Sequence, residues 1–264
     1  ECDWAAGSFL MFSRSTFREL NGFDEGFFMY CEDIDICRRY FEKFSKRISI
    51  HPNLPGFSVI DGVKMPRRTF FSFHYEPDVW RAWNVRNSWV VKESDEESRG
   101  FFDSSVFEAS KKESDDALKT FLRKGLENTS VTCVLAGTHT WSRRWVRYEI
   151  ARSVIKGNGL LTVFIHGVQN KDKATSTKGA DPLAQMGLYR TDRGIYLAEW
   201  KDGKWVAYAD YTLAIPEGDL WFTAPKTNSV VQLSNHCLSY DFIGQDGRKN
   251  IGGWIETAAG MAGR

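Results

Sequence analysis

Two short apolar runs, residues 130–136 and 160–165, constrain the fold of this 264-residue chain most strongly. Both are nearly continuous rather than alternating, which is typical of strands buried on both faces of a parallel sheet. Between them, apolar residues recur at helical spacing, at Val146, Ile150 and Val154. Gly157 then stands where the C-terminal cap of a helix is expected. The stretch therefore predicts a strand–helix–strand unit, with its helix over residues 141–156.

The preceding segments extend this alternation towards the N-terminus. The expected elements are a strand, a helix beginning near Pro77, a second strand and a second helix, over residues 69–73, 77–90, 100–102 and 113–127. A β-α-β-α-β-α-β order predicts an α/β, flavodoxin-like fold in which helices flank a parallel sheet.

The pattern changes after residue 167. Residues 171–179 form a polar loop, and residues 195–200 and 204–208 flank the dipeptide Asp202-Gly203. Such a dipeptide between two strand-like runs predicts a β-hairpin. A last helix is expected over residues 250–262. The sequence thus predicts a C-terminal β-hairpin and helix extension to the parallel sheet.

The first part of the chain has a different composition. It is rich in Phe and contains the acidic run Glu32, Asp33 and Asp35. Prolines at positions 52, 55 and 66 follow. Because Pro punctuates chain organisation, we place a boundary at residues 60–67. The expected division is a segment of residues 1–60 and a domain of residues 67–264.

Composition narrows the class of protein. A net charge of +1 argues against a protein built for nucleic acid, and no apolar run reaches the roughly 18 residues of a membrane span. The five Cys form no C-x-x-C pair and are odd in number, so neither zinc nor a disulfide framework is indicated. Cys133 is expected to be a small core residue. A reducing, cytoplasmic location fits this pattern.

Two segments outline a candidate active site. Trp145 and Glu149 lie one turn apart on the predicted helix 141–156, which places an aromatic surface beside a carboxylate. Residues 70–75 form an earlier strand that ends in polar side chains. In a parallel sheet, the carboxyl ends of strands converge on one edge, where ligands bind. On spacing alone, however, a solvated helix residue is the favoured interpretation of Glu149.

For several other polar residues, the sequence does not decide between a substrate contact and a structural role. Arg143, Arg144 and Arg147 suit a pyrophosphate, but they also suit a solvated basic helix face. Arg81, Asn84 and Arg86 raise the same choice, with a solvated face favoured. Asp103 can bond a ribose hydroxyl or begin a turn.

The later part of the chain resembles the TIR-like family of Thoeris antiphage defence, which includes the ThsB proteins. The resemblance covers residues 67–264. Its matching blocks are residues 70–75, 80–81, 85–89, 101–103, 129–131, 143–150 and 157–160. Many separate blocks occur in the same order, which makes the resemblance specific.

This resemblance implies an enzyme that cleaves NAD, with Glu149 as its catalytic carboxylate. From their positions, we also expect substrate contacts by residues at the first strand end, at the end of the second strand and on the later helix. These are Phe71, Ser72, Phe73, His74, Tyr75, Asp103, Arg144 and Trp145. NAD is then the substrate, so no metal and no resident cofactor are expected.

The implied product is an ADP-ribose-type signal nucleotide, cyclic or linear. The implied partners are a downstream effector that senses the product, a phage-derived trigger and a second copy of the chain, with no nucleic acid and no membrane. A TIR-like fold also serves as a non-catalytic assembly module, and fold does not dictate function. That alternative stays open at this stage.

The N-terminal segment resembles a different family. Residues 1–50 are similar to the acceptor-side end of GT-A glycosyltransferases of the rhamnosyltransferase group. The matching residues are Trp4, Gly7, Phe9 and residues 22–25, 27–30 and 32–35. In that family Asp33 would be the base that activates an acceptor hydroxyl. The nucleotide-binding half is absent from this chain, so an inert remnant is expected and a glycosyltransferase fragment is the weaker alternative.

Overall fold

The computed structural model describes residues 2–5, 10–13, 68–90 and 114–264, with only the backbone given for residues 2–5, 10–13 and 87–90. The chain divides into two compact units, Glu1–Lys64 and Met65–Arg264. The boundary at residues 60–67 stays a prediction. In the first unit, strands β1 (Cys2–Ala5) and β2 (Leu10–Ser13) pair antiparallel.

Among the described residues, the second unit contains a four-stranded parallel sheet. Its strands are β3 (Thr69–Phe73), β4 (Val131–Ala136), β5 (Gly159–Phe164) and β10 (Leu238–Asp241). They lie in the order β10-β5-β4-β3, and all three pairings are parallel. The prediction of an α/β fold with a parallel sheet flanked by helices is confirmed.

The described residues of this unit include four α-helices. They are α1 (Tyr75–Val90), α2 (Asp115–Leu126), α3 (Arg144–Lys156) and α4 (Gly247–Met261). At the start of α2, the Ser114 side chain accepts a hydrogen bond from the Ala117 amide, which satisfies a free N–H of the first turn. Helix α3 ends at Gly157, whose φ of 71° is left-handed, so the predicted glycine cap is confirmed.

The parallel sheet is covered on both faces. On one face, Phe71, Cys133 and Leu161 pack with residues of α1 and α4. On the other face, Val134 and Leu160 pack with Val146, Ile150 and Val154 of α3. Burial on both faces explains the continuous apolar runs that predicted the central strands. Cys133 is fully buried, as its predicted role as a core residue requires.

A second, antiparallel sheet is inserted between β5 and β10. Its strands are β6 (Met186–Thr191), β7 (Gly194–Lys201), β8 (Lys204–Ala207) and β9 (Val230–Gln232), in the order β8-β7-β6-β9. The predicted hairpin is confirmed, because Asp202 and Gly203, with φ of 50° and 77°, turn the chain between β7 and β8. Leu188 and Leu197 of this inserted sheet pack against α3.

The structure corrects the sequence prediction in two respects. The predicted extension is an insertion, since β10 and α4 after it complete the parallel fold. Helix α3 begins at Arg144 rather than near residue 141, because residues 140–142 form a separate 3₁₀ turn. The predicted strand at residues 100–102 lies outside the described residues.

In the part of the chain that is described, no helix has the length and apolar character needed to span a membrane.

Candidate active site

Glu149 lies on the second turn of α3 and is directed at the parallel sheet. Its exposed fraction is 7%, and the side chain of Ser72 on β3 is fully buried beside it. Ser72 Oγ donates a hydrogen bond to Glu149 Oε2. Side chains alternate along a strand, so Ser72 faces α3 while its neighbour Phe71 faces α1 and α4. The fold therefore joins two residues of the candidate site directly.

Burial sets the charge state of this carboxyl. Loss of water raises the pKa of Glu149 to about 8, and the hydrogen bond from Ser72 partly opposes that rise. A carboxyl group with its pKa near neutral pH can change its protonation state readily during a reaction. Perturbed carboxyl groups of this kind are concentrated at functional sites, which favours the catalytic role over a solvated helix residue.

The backbone around Glu149 is also fixed. Ser153 Oγ donates to the Glu149 carbonyl at 2.7 Å and lies 2.7 Å from Thr132 Oγ1 on β4. All of these groups are buried. Helix α3 is thus joined by hydroxyl groups to β3 and β4, beside the carboxylate itself.

The remaining residues predicted at the first strand end fall into two groups. Phe71 is 4% exposed and packs in the core on the face opposite Glu149. That position favours a structural role. His74 and Tyr75 follow the strand at the carboxyl edge of the sheet, and the ring of Tyr75 lies 6.2 Å from that of Phe73. Their substrate contacts stay predictions.

Trp145 and Arg144 are held by protein groups. Trp145 packs edge-on against Tyr148, with ring centroids 6.0 Å apart, and the Arg144 guanidinium lies 4.7 Å from the Trp145 ring. Arg144 donates twice to Asp210, at 2.9 Å each, and to Asp115 at 2.6 Å. These carboxylates hold the Arg144 pKa above its usual range, and Arg144 in turn lowers the Asp210 pKa to about 2. A substrate phosphate would have to compete with both carboxylates for Arg144.

A buried ion pair at the carboxyl edge of the sheet was not predicted. Arg81 is 4% exposed and donates to the Val168 carbonyl at 2.9 Å and the Ala174 carbonyl at 3.2 Å, both in the loop after β5. Its carboxylate partner is Asp78, at 3.3 Å. The expected solvated face is therefore wrong for Arg81. The sequence pattern does not indicate that Arg81 is buried, because its carbonyl acceptors lie in a loop almost ninety positions further along the chain.

Asp78 also fixes the loop after β4. A Cβ atom on Gly137 would lie 2.1 Å from Asp78 Oδ2, so only glycine fits there. Thr140 Oγ1 donates to Asp78 Oδ2 at 3.4 Å and accepts from the Gly137 amide at 2.9 Å. Burial raises the pKa of Asp78, while Arg81 lowers it. Asp78 and Arg81, in the first two turns of α1, thus hold the loops after both central strands.

The contacts described above do not include all of the candidate residues. Asp103 and the acidic residues Glu32, Asp33 and Asp35 lie outside the described residues. Within residues 68–90 and 114–264, no group of His, Cys, Asp and Glu has the arrangement of a metal site. His166 and Asp241 lie 3.6 Å apart at the ends of β5 and β10, as a single pair.

A parallel sheet flanked by helices is consistent with the fold of a TIR-like domain. The family model for the Thoeris protein ThsB, TIR-like domain, matches residues 70–170, from β3 into the loop after β5. The chain is also 39% identical over 194 residues to a Bacillus cereus protein named "Putative cyclic ADP-D-ribose synthase ThsB1". That match covers 72% of this chain and the whole of the relative. The chain belongs to the ThsB TIR-like family.

A second relative matches a short segment only. The chain is 44% identical over 70 residues to the rhamnosyltransferase WbbL of Escherichia coli. This covers 26% of the chain and 25% of that enzyme. Three quarters of the glycosyltransferase thus have no counterpart in the match, and transferase activity does not follow from it.

Proposed function

We propose that this protein cleaves NAD, releases nicotinamide and converts the ADP-ribose part into a cyclic signal nucleotide. The observation that carries the proposal is the buried carboxyl of Glu149, bonded to Ser72, in a chain similar to ThsB1 over the whole of that relative. The relative is named as a cyclic ADP-D-ribose synthase, and a buried carboxylate is the group that this chemistry needs.

The bond that breaks joins the nicotinamide nitrogen to C1 of its ribose. Nicotinamide leaves as a neutral molecule because its ring is cationic in NAD, so no acid has to protonate it. Positive charge then develops on the ribose, as in glycoside hydrolysis. The Glu149 carboxylate stabilises that charge and can accept a hydrogen bond from a ribose hydroxyl.

The cationic substrate also adjusts the charge of Glu149. In the free protein the raised pKa keeps much of the carboxyl protonated at neutral pH. A positively charged nicotinamide ring nearby favours the ionised form and lowers the pKa on binding. Glu149 thus becomes an anion where the ribose needs one.

Ring closure completes the reaction. A nucleophile from the ADP part of the same molecule bonds to C1 of the ribose, and its proton is released to solvent. Water at that carbon would give linear ADP-ribose instead. Glu149 is only 7% exposed, and burial of the carboxylate restricts water beside the reacting carbon. This burial supports cyclisation over hydrolysis.

The family supplies the biological setting of the proposal. The product is sensed by a downstream effector in antiphage defence, a phage-derived component triggers synthesis, and the chain self-associates. NAD is the substrate, so the reaction requires no resident cofactor. A cytoplasmic location, where NAD is available, is part of the same proposal.

The test is incubation with NAD, with and without extract of phage-infected cells, followed by mass analysis of the products. We expect nicotinamide and a nucleotide with the mass of ADP-ribose less one water. Glu149→Gln should release no nicotinamide, whereas the matched change Glu217→Gln, at an exposed glutamate of the inserted region, should leave release unchanged. If the wild-type protein releases no nicotinamide under either condition, it is a non-catalytic assembly module.

A further inference from the structure

The inserted sheet is joined to α3 by a largely buried ion pair. Arg147 of α3 is only 9% exposed and donates through Nη1 to Glu199 Oε2 on β7, whose side chain is 14% exposed. Arg147 Nε also donates to the Trp141 carbonyl at 3.3 Å, in the turn that precedes the helix. One guanidinium therefore connects the helix, the turn before it and the inserted sheet.

The position of this pair relative to Glu149 is informative. Arg147 and Glu149 are two residues apart, which corresponds to about 200° around a helix. They therefore point to opposite sides of α3. Glu149 is bonded to Ser72 in the parallel sheet, and Arg147 is bonded to Glu199 in the antiparallel sheet. The two contacts fix the rotation of α3 from both sides.

A second contact lies one turn earlier. Arg144, on the same side of α3 as Arg147, is paired with Asp210 in the segment after β8. Its side chain is 50% exposed, so solvent screens this pair more strongly. The Arg147–Glu199 pair is shielded and is the closer of the two to Glu149 in sequence. It is the stronger candidate for holding the helix in place.

We propose that Arg147 and Glu199 are positioning residues, through which the inserted sheet holds the Glu149 carboxylate in its reactive orientation. This inference rests on the proposed NAD cleavage. Neither residue is required to touch the substrate, because each acts through the placement of α3. The inserted sheet is then part of the catalytic apparatus rather than an appendage to a TIR-like fold.

The test compares two pairs of residues in the full-length protein. The variant Arg147→Met/Glu199→Met replaces the buried pair with apolar side chains, which leaves no unpaired buried charge and often preserves stability. The matched control is Arg190→Met/Glu217→Met, which removes a more exposed pair, 2.8 Å apart, between β6 and the segment after β8. The measurements are kcat and KM for nicotinamide release, thermal unfolding, and amide hydrogen exchange along α3.

We expect the Arg147→Met/Glu199→Met protein to stay folded. Its kcat should fall by roughly 10²-fold, because a displacement of the catalytic carboxylate by about 1 Å has an effect of that size, whereas KM should change by less than about threefold. Exchange along α3 should be faster than in the wild type. The control should match the wild type in all measurements. Single variants Arg147→Lys and Glu199→Gln should each lose activity, and their combination should lose no more than the larger single loss, since both remove one contact.

Three outcomes would overturn the inference. They are a folded Arg147→Met/Glu199→Met protein with wild-type kcat, additive losses in the two single changes, and equal losses in the control pair. If the wild-type protein itself releases no nicotinamide, the proposed function fails. Hydrogen exchange then still decides the structural part, because unchanged exchange along α3 would show that the pair does not hold the helix.

Discussion

Ser72 on β3 donates a hydrogen bond to Glu149 on α3, across 77 positions of the chain. Both groups are buried, and within the described part of the chain Ser72 is the side chain that bonds this carboxylate. The contact makes Ser72 a regulator of the Glu149 charge, because a donor to a carboxylate favours its ionised form. This role differs from the direct substrate contact predicted for Ser72, and the two can be separated experimentally.

Replacing Ser72 by Ala should slow nicotinamide release at pH 7.5 by about tenfold. A hydrogen bond to a charged group contributes about 1.5–3 kcal/mol, so its loss raises the Glu149 pKa and lowers the ionised fraction. The measurement is the pH dependence of kcat/KM, which should shift to higher pH and recover activity near pH 9. Thr132→Val, which removes a buried hydroxyl bonded to Ser153 instead, is the matched control and should not shift the profile. A uniform loss at every pH would indicate that Ser72 contacts the substrate.

The wild-type pH profile follows from the burial of Glu149. The pKa of about 8 belongs to a carboxyl group, so the active anion is the minor form below that pH. We expect kcat/KM to increase by roughly tenfold per pH unit below pH 8 and to become constant above it. Circular dichroism at each pH provides the folding control. A flat profile between pH 6 and 9 would contradict the assignment of Glu149 as the ionising group.

Sequence predicted the buried elements of the fold better than the exposed ones. The run at residues 130–136 is buried on both faces and carries a strong signal. Strand β10, at the sheet edge with half-exposed Leu238 and Tyr240, carries no such run and was not predicted. The sequence predicts a C-terminal extension rather than an insertion, because the position of the antiparallel sheet in the fold depends on the pairing of β10 with β5. That pairing joins distant segments of the chain.

At the candidate site, the sequence likewise predicted individual residues better than the contacts between them. Ser72 and Glu149 were both predicted, but their hydrogen bond was not, since it depends on how α3 packs on β3. Arg144 was assigned to a phosphate, and its carboxylate partners come from α2 and from the segment after β8. Residue types and helical spacing thus identified candidate groups, while the partners that fix their charge and orientation required the tertiary fold.

Glu149→Gln should stabilise the protein at neutral pH while it abolishes activity. The folded pKa of about 8 exceeds the ordinary value of 4.5, so the unfolded chain binds fewer protons between those two values. The favourable contribution of Glu149 is complete below pH 4.5 and is lost as the pH rises to 8. Gln does not ionise, so its advantage should reach about 4–5 kcal/mol near pH 8 and vanish below pH 4.5. Chemical unfolding of both proteins at pH 5 and pH 8 measures this, and an equal difference at both values would contradict it.

Gly137→Ala should destabilise the protein by about 1–3 kcal/mol, because the added methyl group overlaps Asp78. Movement of Asp78 would disturb the buried pair with Arg81 and the two loops that it holds. The matched control is Gly253→Ala, at an open helical position of α4, which should stabilise by about 0.5–1 kcal/mol. The midpoints of denaturant unfolding report both changes. A Gly137→Ala protein as stable as the wild type would show that Asp78 can move without cost.

Removing residues 1–60 should leave the NAD chemistry largely unchanged. The family match begins at residue 70, and 194 residues of this chain account for the whole length of ThsB1. Ser72 and Glu149 both lie in the unit Met65–Arg264. The first segment contains several Phe residues, and exposed apolar surface promotes association, so removal should alter solubility or oligomeric state. The measurement is nicotinamide release by residues 61–264 and by the full chain at matched concentrations, with size-exclusion chromatography alongside. A folded but inactive truncation that regains activity when residues 1–60 are added separately would show that the glycosyltransferase-like segment is part of the working enzyme.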